Sequence, residues 1–177
     1  MPNKTKEKTN QTTKIIIRKY EKKDDYQLIF LFDEFQKFMF SIDPKPPKMS
    51  ALKPDYAKAS LHQALDRIKR SEGVLYVAEA NGKMVGFTIA LALKPYGEEA
   101  AIFKRPQKRG EITDIYIDSE YRGNNIGARL METAESYLKE IGCKEIIVGV
   151  FAPNKNAREF YKRLGYSEAS LEFSKDV

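Results

Sequence analysis

One stretch near the middle of the chain constrains the fold more than any other. Residues 111–117 carry isoleucine at positions that alternate between both faces, which predicts a strand covered on both sides. Residues 120–125 are polar and turn-prone, and from Ile126 the apolar residues recur at helical spacing. Gly142 is predicted to end this helix. The stretch therefore predicts a strand, a tight loop and a helix in direct succession.

The loop between that strand and that helix has the features of an anion site. Gly123 and Gly127 have no Cβ, so a ligand can approach the backbone closely. Asn124 and Asn125 tolerate left-handed conformations, and a turn that feeds a helix directs several N–H groups and the positive end of the helix dipole to one place. Arg122 adds a full charge, which predicts a phosphate site. On glycine spacing alone, an ordinary strand–helix connection explains the loop equally well.

A second strand–loop–helix pattern lies near the C-terminus. Residues 145–150 are rich in β-branched side chains and predict a strand. Asn156 and Glu159 have the spacing of a capping box, which predicts the start of a helix, and Gly165 is predicted to end it. Tyr161 lies on this helix, where its pattern alone indicates an ordinary aromatic residue of an amphipathic helix.

Together these segments resemble the GNAT superfamily of N-acetyltransferases. The loop resembles the family's acyl-CoA loop, Q/R-x-x-G-x-G/A, with Arg122 in the first position and Gly127 in the last. Asn125 replaces the middle glycine, and asparagine adopts the same positive φ with little strain. The C-terminal segment resembles the second family signature, N-x-x-A-x-x-x-Y-x-x-x-G-F/Y, at Asn154, Ala157, Tyr161, Gly165 and Tyr166.

The resemblance implies an α/β (α+β) fold, the GNAT fold. Its mixed central sheet has about seven strands with splayed parallel fourth and fifth strands, and about four helices flank it. Hydrophobic patterning adds a hairpin at Asn81-Gly82 and a last strand at residues 171–175. We expect a single GNAT acetyltransferase domain at residues 14–177, preceded by a disordered polar tail at residues 1–13.

The resemblance also implies acetyl-CoA as the acyl donor. Its pantetheine arm would pair with the main chain of the fourth strand, and its pyrophosphate would meet the loop amides. Tyr161 would protonate the leaving thiolate, and Asn154 would orient the cofactor or a bound water. The implied cofactor-binding residues are Ile115, Tyr116, Ile117, Arg122, Gly123, Asn124, Asn125, Ile126, Gly127, Ala128, Asn154 and Tyr161.

The acceptor amine must lose a proton before it attacks, because an ammonium group has no lone pair. A carboxylate can take this proton directly or through water, and Glu111 and Asp114 are the candidates. Strand alternation predicts that they point to opposite faces. By resemblance, Glu111 lies where histone-type members place their base, although a surface role at the strand start explains it equally well. Thr113 stands where diamine-acetylating members have an acidic residue, which disfavours a diamine acceptor. The base stays open between the two carboxylates and a water chain.

Composition limits the other possibilities. A single cysteine and a single histidine exclude an intramolecular disulfide framework and a His/Cys metal site. With no signal peptide and no long apolar run, we expect a cytoplasmic protein that has no membrane partner. The net charge of +6 suits an anionic cofactor. Nucleic acid is not an expected partner, because only the tail and the basic residues 104–109 favour it.

The predicted function is direct transfer of an acetyl group from acetyl-CoA to a primary amine of a protein, a peptide or a small metabolite. The alternative is a non-catalytic acyl-CoA-binding sensor or interaction module of the same fold. We expect the acceptor to be selected by the phenylalanine-rich first helix, the proline-rich loop at residues 40–50 and the connection at residues 96–109. The oligomeric state stays open; members of the family that this chain resembles often form homodimers.

Overall fold

A computed structural model of the chain describes residues 14–46, 54–94 and 107–175. The predicted tail, residues 47–50 of the proline-rich loop and residues 96–106 of the basic connection lie outside these ranges. Single turns of 3₁₀ helix occur at Lys22–Asp24 and Ser119–Tyr121. The strands and α-helices are, in chain order, β1 (Ile15–Lys19), α1 (Asp25–Ile42), α2 (Tyr56–Arg70), β2 (Val74–Ala80), β3 (Lys83–Ala92), β4 (Arg109–Ile117), α3 (Ile126–Glu140), β5 (Glu145–Val148) and α4 (Lys155–Arg163).

The strands form one mixed sheet in the order β1-β2-β3-β4-β5. Neighbours from β1 to β4 are antiparallel, and β4 and β5 are parallel. The α1 and α2 helices cover one face, where Leu28 and Leu61 pack with Phe87 of β3. The α3 helix covers the other face, where Leu130 packs with Val85. The predicted mixed sheet, its flanking helices and its parallel fourth and fifth strands are confirmed.

The predicted strand count was wrong. The described residues form five strands, not about seven, and residues 171–175 form none. Leu171 and Phe173 alternate as they would in a strand, but 73% and 91% of their surface is exposed. No neighbouring strand or second layer in the described part of the chain covers them, so alternation alone gives this segment nothing to pair with.

The local turn signals were reliable, with one exception. Asn81 and Gly82 have φ of 51° and 82° and join β2 to β3 as predicted. Gly142 and Gly165 end α3 and α4 with φ of 89° and 91°. The predicted start of α4 was wrong: Asn154, not Asn156, caps it, and its side-chain oxygen accepts the Ala157 N–H at 3.1 Å. The helix begins two residues after Pro153, so the earlier asparagine meets the open N–H groups first.

Candidate active site

A gap opens between β4 and β5. The two strands pair only from Arg109–Glu145 to Ile112–Val148. The β5 strand ends there, whereas β4 continues to Ile117. Among the described residues, the main chain at 113–117 therefore has a strand partner on one edge only, β3. The predicted splay is confirmed, and it leaves backbone N–H and C=O groups of β4 open to a ligand.

A β-bulge in β4 places both candidate bases on the same face of the sheet. Ile89 of β3 pairs with Asp114, but its neighbour Ala90 pairs with Ile112, so Thr113 is one extra residue. Glu111 pairs with Leu91, which lies on the same face of β3 as Ile89. The prediction that Glu111 and Asp114 point to opposite faces was therefore wrong. Both lie on the face that α1 and α2 cover, because the bulge resets the alternation.

Asp114 lies in a poorly solvated environment. Burial raises the pKa of its carboxyl above the usual range, while a hydrogen bond from the Thr113 hydroxyl at 2.7 Å and the charge of Arg67 act in the opposite direction. Burial also raises the pKa of Tyr161, and the negative charge of Asp114 raises it further. The structure thus brings a predicted base and the predicted acid within electrostatic reach of each other.

Arg67 of α2 is a residue that the sequence analysis missed. Its Nη2 lies 4.0 Å from Oε2 of Glu111, and its charge also acts on Asp114. The only sequence signal was its position beside the apolar Ile68 on α2, which points this part of the helix to the sheet. Glu111 therefore has a cationic neighbour, Arg67. Asp114 is the carboxylate whose charge acts on Tyr161.

The loop before α3 has the predicted backbone geometry. Asn125 is left-handed, with φ 58° and ψ 13°, and Gly123 has φ 80°. Asn125 is the N-cap residue, but its side chain makes no cap hydrogen bond and so does not cap the first N–H groups of α3. The Asn124 amide donates to the carbonyls of Tyr121 and Arg122, which holds the turn in shape. This bend therefore directs free amides and the positive end of α3 to one place.

The Arg122 side chain lies on the α1–α2 face of the sheet. Its Nε donates to the Ile117 carbonyl at 3.0 Å, and its guanidinium carbon lies 5.7 Å and 5.8 Å from the ring centroids of Phe38 and Tyr116. Tyr116 packs with Phe35 of α1, so this is the α1 face of the sheet. Arg122 thus lines the face that carries Asp114, so an anion at the loop would meet main-chain groups rather than this guanidinium.

Gly127 also fixes where α4 lies. A Cβ atom at this position would lie 3.3 Å from both Ile117 Cδ1 and Phe160 Cζ, which is tighter than ordinary contact. The absence of a side chain lets α4 pack against the start of α3 and the end of β4. Phe160 directly precedes Tyr161 on α4, so this close approach helps to position the predicted acid.

The remaining residues of the predicted set have simple positions. Ile126 is buried below the loop and Ala128 lies in the first turn of α3. Ile115 and Ile117 direct their side chains to the α3 face. Their main-chain groups lie in the part of β4 that β5 does not pair with. The Asn154 oxygen caps α4.

Comparison with known proteins identifies the family. The profile of the acetyltransferase (GNAT) family matches residues 30–166, which is more than half of the chain. This chain belongs to the GNAT family. The match runs from α1 to the end of the second signature at Tyr166, so it includes the gap, the loop and α4.

Several relatives carry N-acetyltransferase names. An uncharacterised N-acetyltransferase of Methanocaldococcus jannaschii is 37% identical over 106 residues, or 59% of this chain and 43% of its own length. Glucosamine 6-phosphate N-acetyltransferase of Arabidopsis thaliana is 34% identical over 68 residues, 38% of this chain and 44% of its length. An N-alpha-acetyltransferase of Sulfurisphaera tokodaii is 25% identical over 108 residues, 60% and 64% of the two chains. The chain spans less than half of the length of the first two of these curated relatives.

Solved structures show the same fold. The crystal structure of the Arabidopsis enzyme superimposes with a TM-score of 0.63 at 23% identity, over 92% of this chain and 98% of that one. An aminoglycoside N-acetyltransferase in complex with CoA gives a TM-score of 0.70 at 15% identity, over 94% and 97%. At these identities the likeness supports the GNAT fold and nothing finer. None of the described helices has the length and apolarity needed to cross a membrane.

The left-handed residue in the loop gives a direct test of the anion site. Asn125→Val should weaken acetyl-CoA binding by roughly tenfold or more, because a β-branched residue at φ 58° is strained by about 1–3 kcal/mol and the turn will relax. Asn125→Gly keeps the turn and should bind acetyl-CoA with an affinity close to that of the wild type. Isothermal titration calorimetry measures both.

Asn81 supplies the matched control. Its φ is 51° and it lies in the β2–β3 hairpin, so Asn81→Val introduces the same kind of strain at another turn. We expect lower thermal stability and unchanged acetyl-CoA affinity. Equal affinity losses in Asn125→Val and Asn81→Val would mean that the loop acts on binding only through general stability.

Proposed function

We propose that this protein transfers an acetyl group directly from acetyl-CoA to a primary amine. The observation that carries the proposal is a poorly solvated carboxylate, Asp114, that follows the point where β4 and β5 stop pairing and whose charge acts on Tyr161. A module that only binds acyl-CoA has no need for a poorly solvated carboxylate next to a tyrosine, because burying both groups costs stability.

The chain's own groups fit the acyl donor. The open main chain at residues 113–117 would pair with the amides of the pantetheine arm, and the bend at residues 123–128 would hold the pyrophosphate. Acetyl-CoA supplies an activated thioester when bound. Because Arg122 packs over Phe38 and Tyr116, we assign it to the acceptor side and not to the pyrophosphate.

The chemistry needs one base and one acid. We propose that Asp114 takes a proton from the acceptor ammonium, directly or through water, since its raised pKa makes it a better base than an exposed aspartate. Glu111 is the second candidate, and its Oε2 lies 4.0 Å from Nη2 of Arg67. Tyr161 would donate its hydroxyl proton to the thiolate sulfur as CoA leaves, because a tyrosine with a raised pKa stays protonated at neutral pH.

The relatives suggest two acceptor classes. Their names include an N-alpha-acetyltransferase, which implies a protein or peptide N-terminus, and a glucosamine 6-phosphate N-acetyltransferase, which implies an amino sugar. We propose that the acceptor is a primary amine of one of these kinds. The acceptor would sit on the α1–α2 face between Asp114 and Arg122, next to the aromatic rings of Phe38 and Tyr116.

The test is free CoA release from acetyl-CoA with a panel of amines. The panel holds peptides with free N-termini, the same peptides with blocked N-termini, and glucosamine 6-phosphate. We expect release that depends on one acceptor class, together with an acetylated product found by mass spectrometry. Tight acetyl-CoA binding without release for any amine would favour the sensor module, and absence of binding would contradict both.

A further inference from the structure

Thr88 on β3 is a polar residue in an apolar place. Among the described residues, Thr88 and Asp24 are the only polar or charged residues that are buried, and Thr88 is 0% exposed. Its strand neighbours across the sheet are Tyr76 and Ile115. A buried hydroxyl costs free energy unless it is hydrogen-bonded, and valine would fill the same volume without that cost. The hydroxyl therefore calls for a structural explanation.

The hydroxyl of Thr88 bonds to the backbone at the bulge. Its Oγ1 donates to the Asp114 carbonyl oxygen at 3.1 Å, across from β3 to β4. The extra residue, Thr113, directly precedes Asp114. The hydrogen bond thus joins the two strands at the point where the regular ladder changes register, and a bulge is where the ladder is weakest.

We propose that Thr88 is a positioning residue whose hydroxyl holds the β4 bulge at Thr113 and thereby keeps Asp114 paired with Ile89, with its carboxyl on the α1–α2 face. If the bulge moved by one residue along β4, Thr113 would pair with Ile89 on the α1–α2 face and Asp114 would become the extra residue. The proposal rests on the proposed function in one respect, the assignment of Asp114 as the base.

The groups around Asp114 determine what a loosened bulge would do. Thr113 from its own strand and Arg67 from α2 stabilise the charged form of Asp114, but burial raises its pKa by more than these two groups lower it. The charge of Asp114 also acts on Tyr161 of α4. Glu111 lies on the same face, next to Arg67. A mobile bulge would let water reach the carboxylate, so the pKa of Asp114 would fall toward its ordinary value.

The experiment measures the Asp114 pKa directly. Carboxyl ¹³C titrations by NMR are recorded on protein labelled at aspartate, with Asp114→Asn to assign the resonance. Thr88→Val keeps the shape of the side chain and removes the hydroxyl, and we expect the pKa of Asp114 to fall toward that of an ordinary aspartate. Thr88→Ser keeps the hydroxyl and should restore the wild-type pKa. Thr88→Ala repeats the test if the valine variant does not fold.

Thr133→Val is the matched control. The Thr133 hydroxyl also donates to a backbone carbonyl, that of Arg129 at 2.8 Å, but within α3. This variant should leave the Asp114 titration unchanged. In transfer assays, Thr88→Val should lower kcat roughly tenfold and move the acidic limb of the pH profile, with the KM for acetyl-CoA little changed.

The outcomes separate this proposal from the proposed function. An Asp114 pKa in Thr88→Val equal to that of the wild type would overturn the positioning role, even if Asp114→Asn abolishes transfer. A shifted pKa together with full transfer by Asp114→Asn would support the positioning role and contradict the assignment of the base.

Discussion

Tyr161→Phe should lower kcat for acetyl transfer by roughly 10²–10³-fold, because the leaving thiolate loses its proton donor. The affinity for acetyl-CoA should change by less than about threefold, since the ring and its packing remain. Burial and the charge of Asp114 raise the pKa of Tyr161, so the hydroxyl of the wild type stays protonated well above neutral pH. Steady-state kinetics with the acceptor found in the amine panel measures kcat, and calorimetry measures the affinity.

Tyr166→Phe is the matched control for that change. Tyr166 lies just beyond α4, and its hydroxyl donates to Oε1 of Glu135 at 2.9 Å, so the variant also loses one tyrosine hydrogen bond. We expect a small loss of stability and unchanged kcat. Equal kcat in Tyr161→Phe and the wild type would rule out the acid role of Tyr161.

Asp114→Asn should lower kcat by roughly 10²-fold or more, because the amide cannot accept the proton of the acceptor ammonium. Its fold should be at least as stable as the wild type at neutral pH. The reason is that the folded pKa of Asp114 is raised, so the native state penalises the ionised carboxylate above that pKa, and asparagine removes the penalty. Kinetics and chemical denaturation of the same preparation separate loss of chemistry from loss of fold.

Glu111→Gln decides between the two carboxylates on the α1–α2 face. If Asp114 is the base, Asp114→Asn will be the more damaging of the two variants by at least about tenfold. A larger loss in Glu111→Gln would transfer the role to Glu111. Small losses in both variants would leave proton removal to water, and the assignment of either residue would be wrong.

The pH profile of the wild type follows from the same two groups. Asp114 must be deprotonated, so the rate should fall as the pH drops through its raised pKa, at a higher pH than an exposed aspartate would give. Tyr161 must be protonated, so the rate should hold until the pH rises through its raised pKa, above the ordinary value of about 10. Asp114→Asn should lose the acidic limb, and Tyr161→Phe the alkaline limb. Unchanged limbs would mean that other groups titrate.

The sequence was most informative where a backbone requirement restricts the residue type. Asn125 was predicted to be left-handed and has φ 58°, and the glycines after α3 and α4 end those helices. These positions are readable because few residue types tolerate positive φ. The phenylalanine-rich first helix was also predicted, and its residues Leu28, Leu31, Phe32 and Phe35 are buried.

What the sequence did not reveal depends on contacts between distant segments. The bulge at Thr113 arises from the register between β3 and β4, which no local pattern encodes, and it places Glu111 and Asp114 on the same face instead of on opposite faces. Arg67 comes from α2 and Thr88 from β3, and only the folded sheet brings them to β4. The segment at residues 171–175 has a strand pattern, but pairing also needs a partner edge.

The central claim is that the gap between β4 and β5 and the bend at Asn125 form the acetyl-CoA site, and a crystal structure in complex with CoA tests it most directly. We predict that the pyrophosphate contacts the amides of residues 123–128 and that the pantetheine arm pairs with the main chain at residues 113–117. The thiol sulfur should lie within hydrogen-bond reach of the Tyr161 hydroxyl. A complex in which CoA binds elsewhere and leaves this bend without contact would contradict the account.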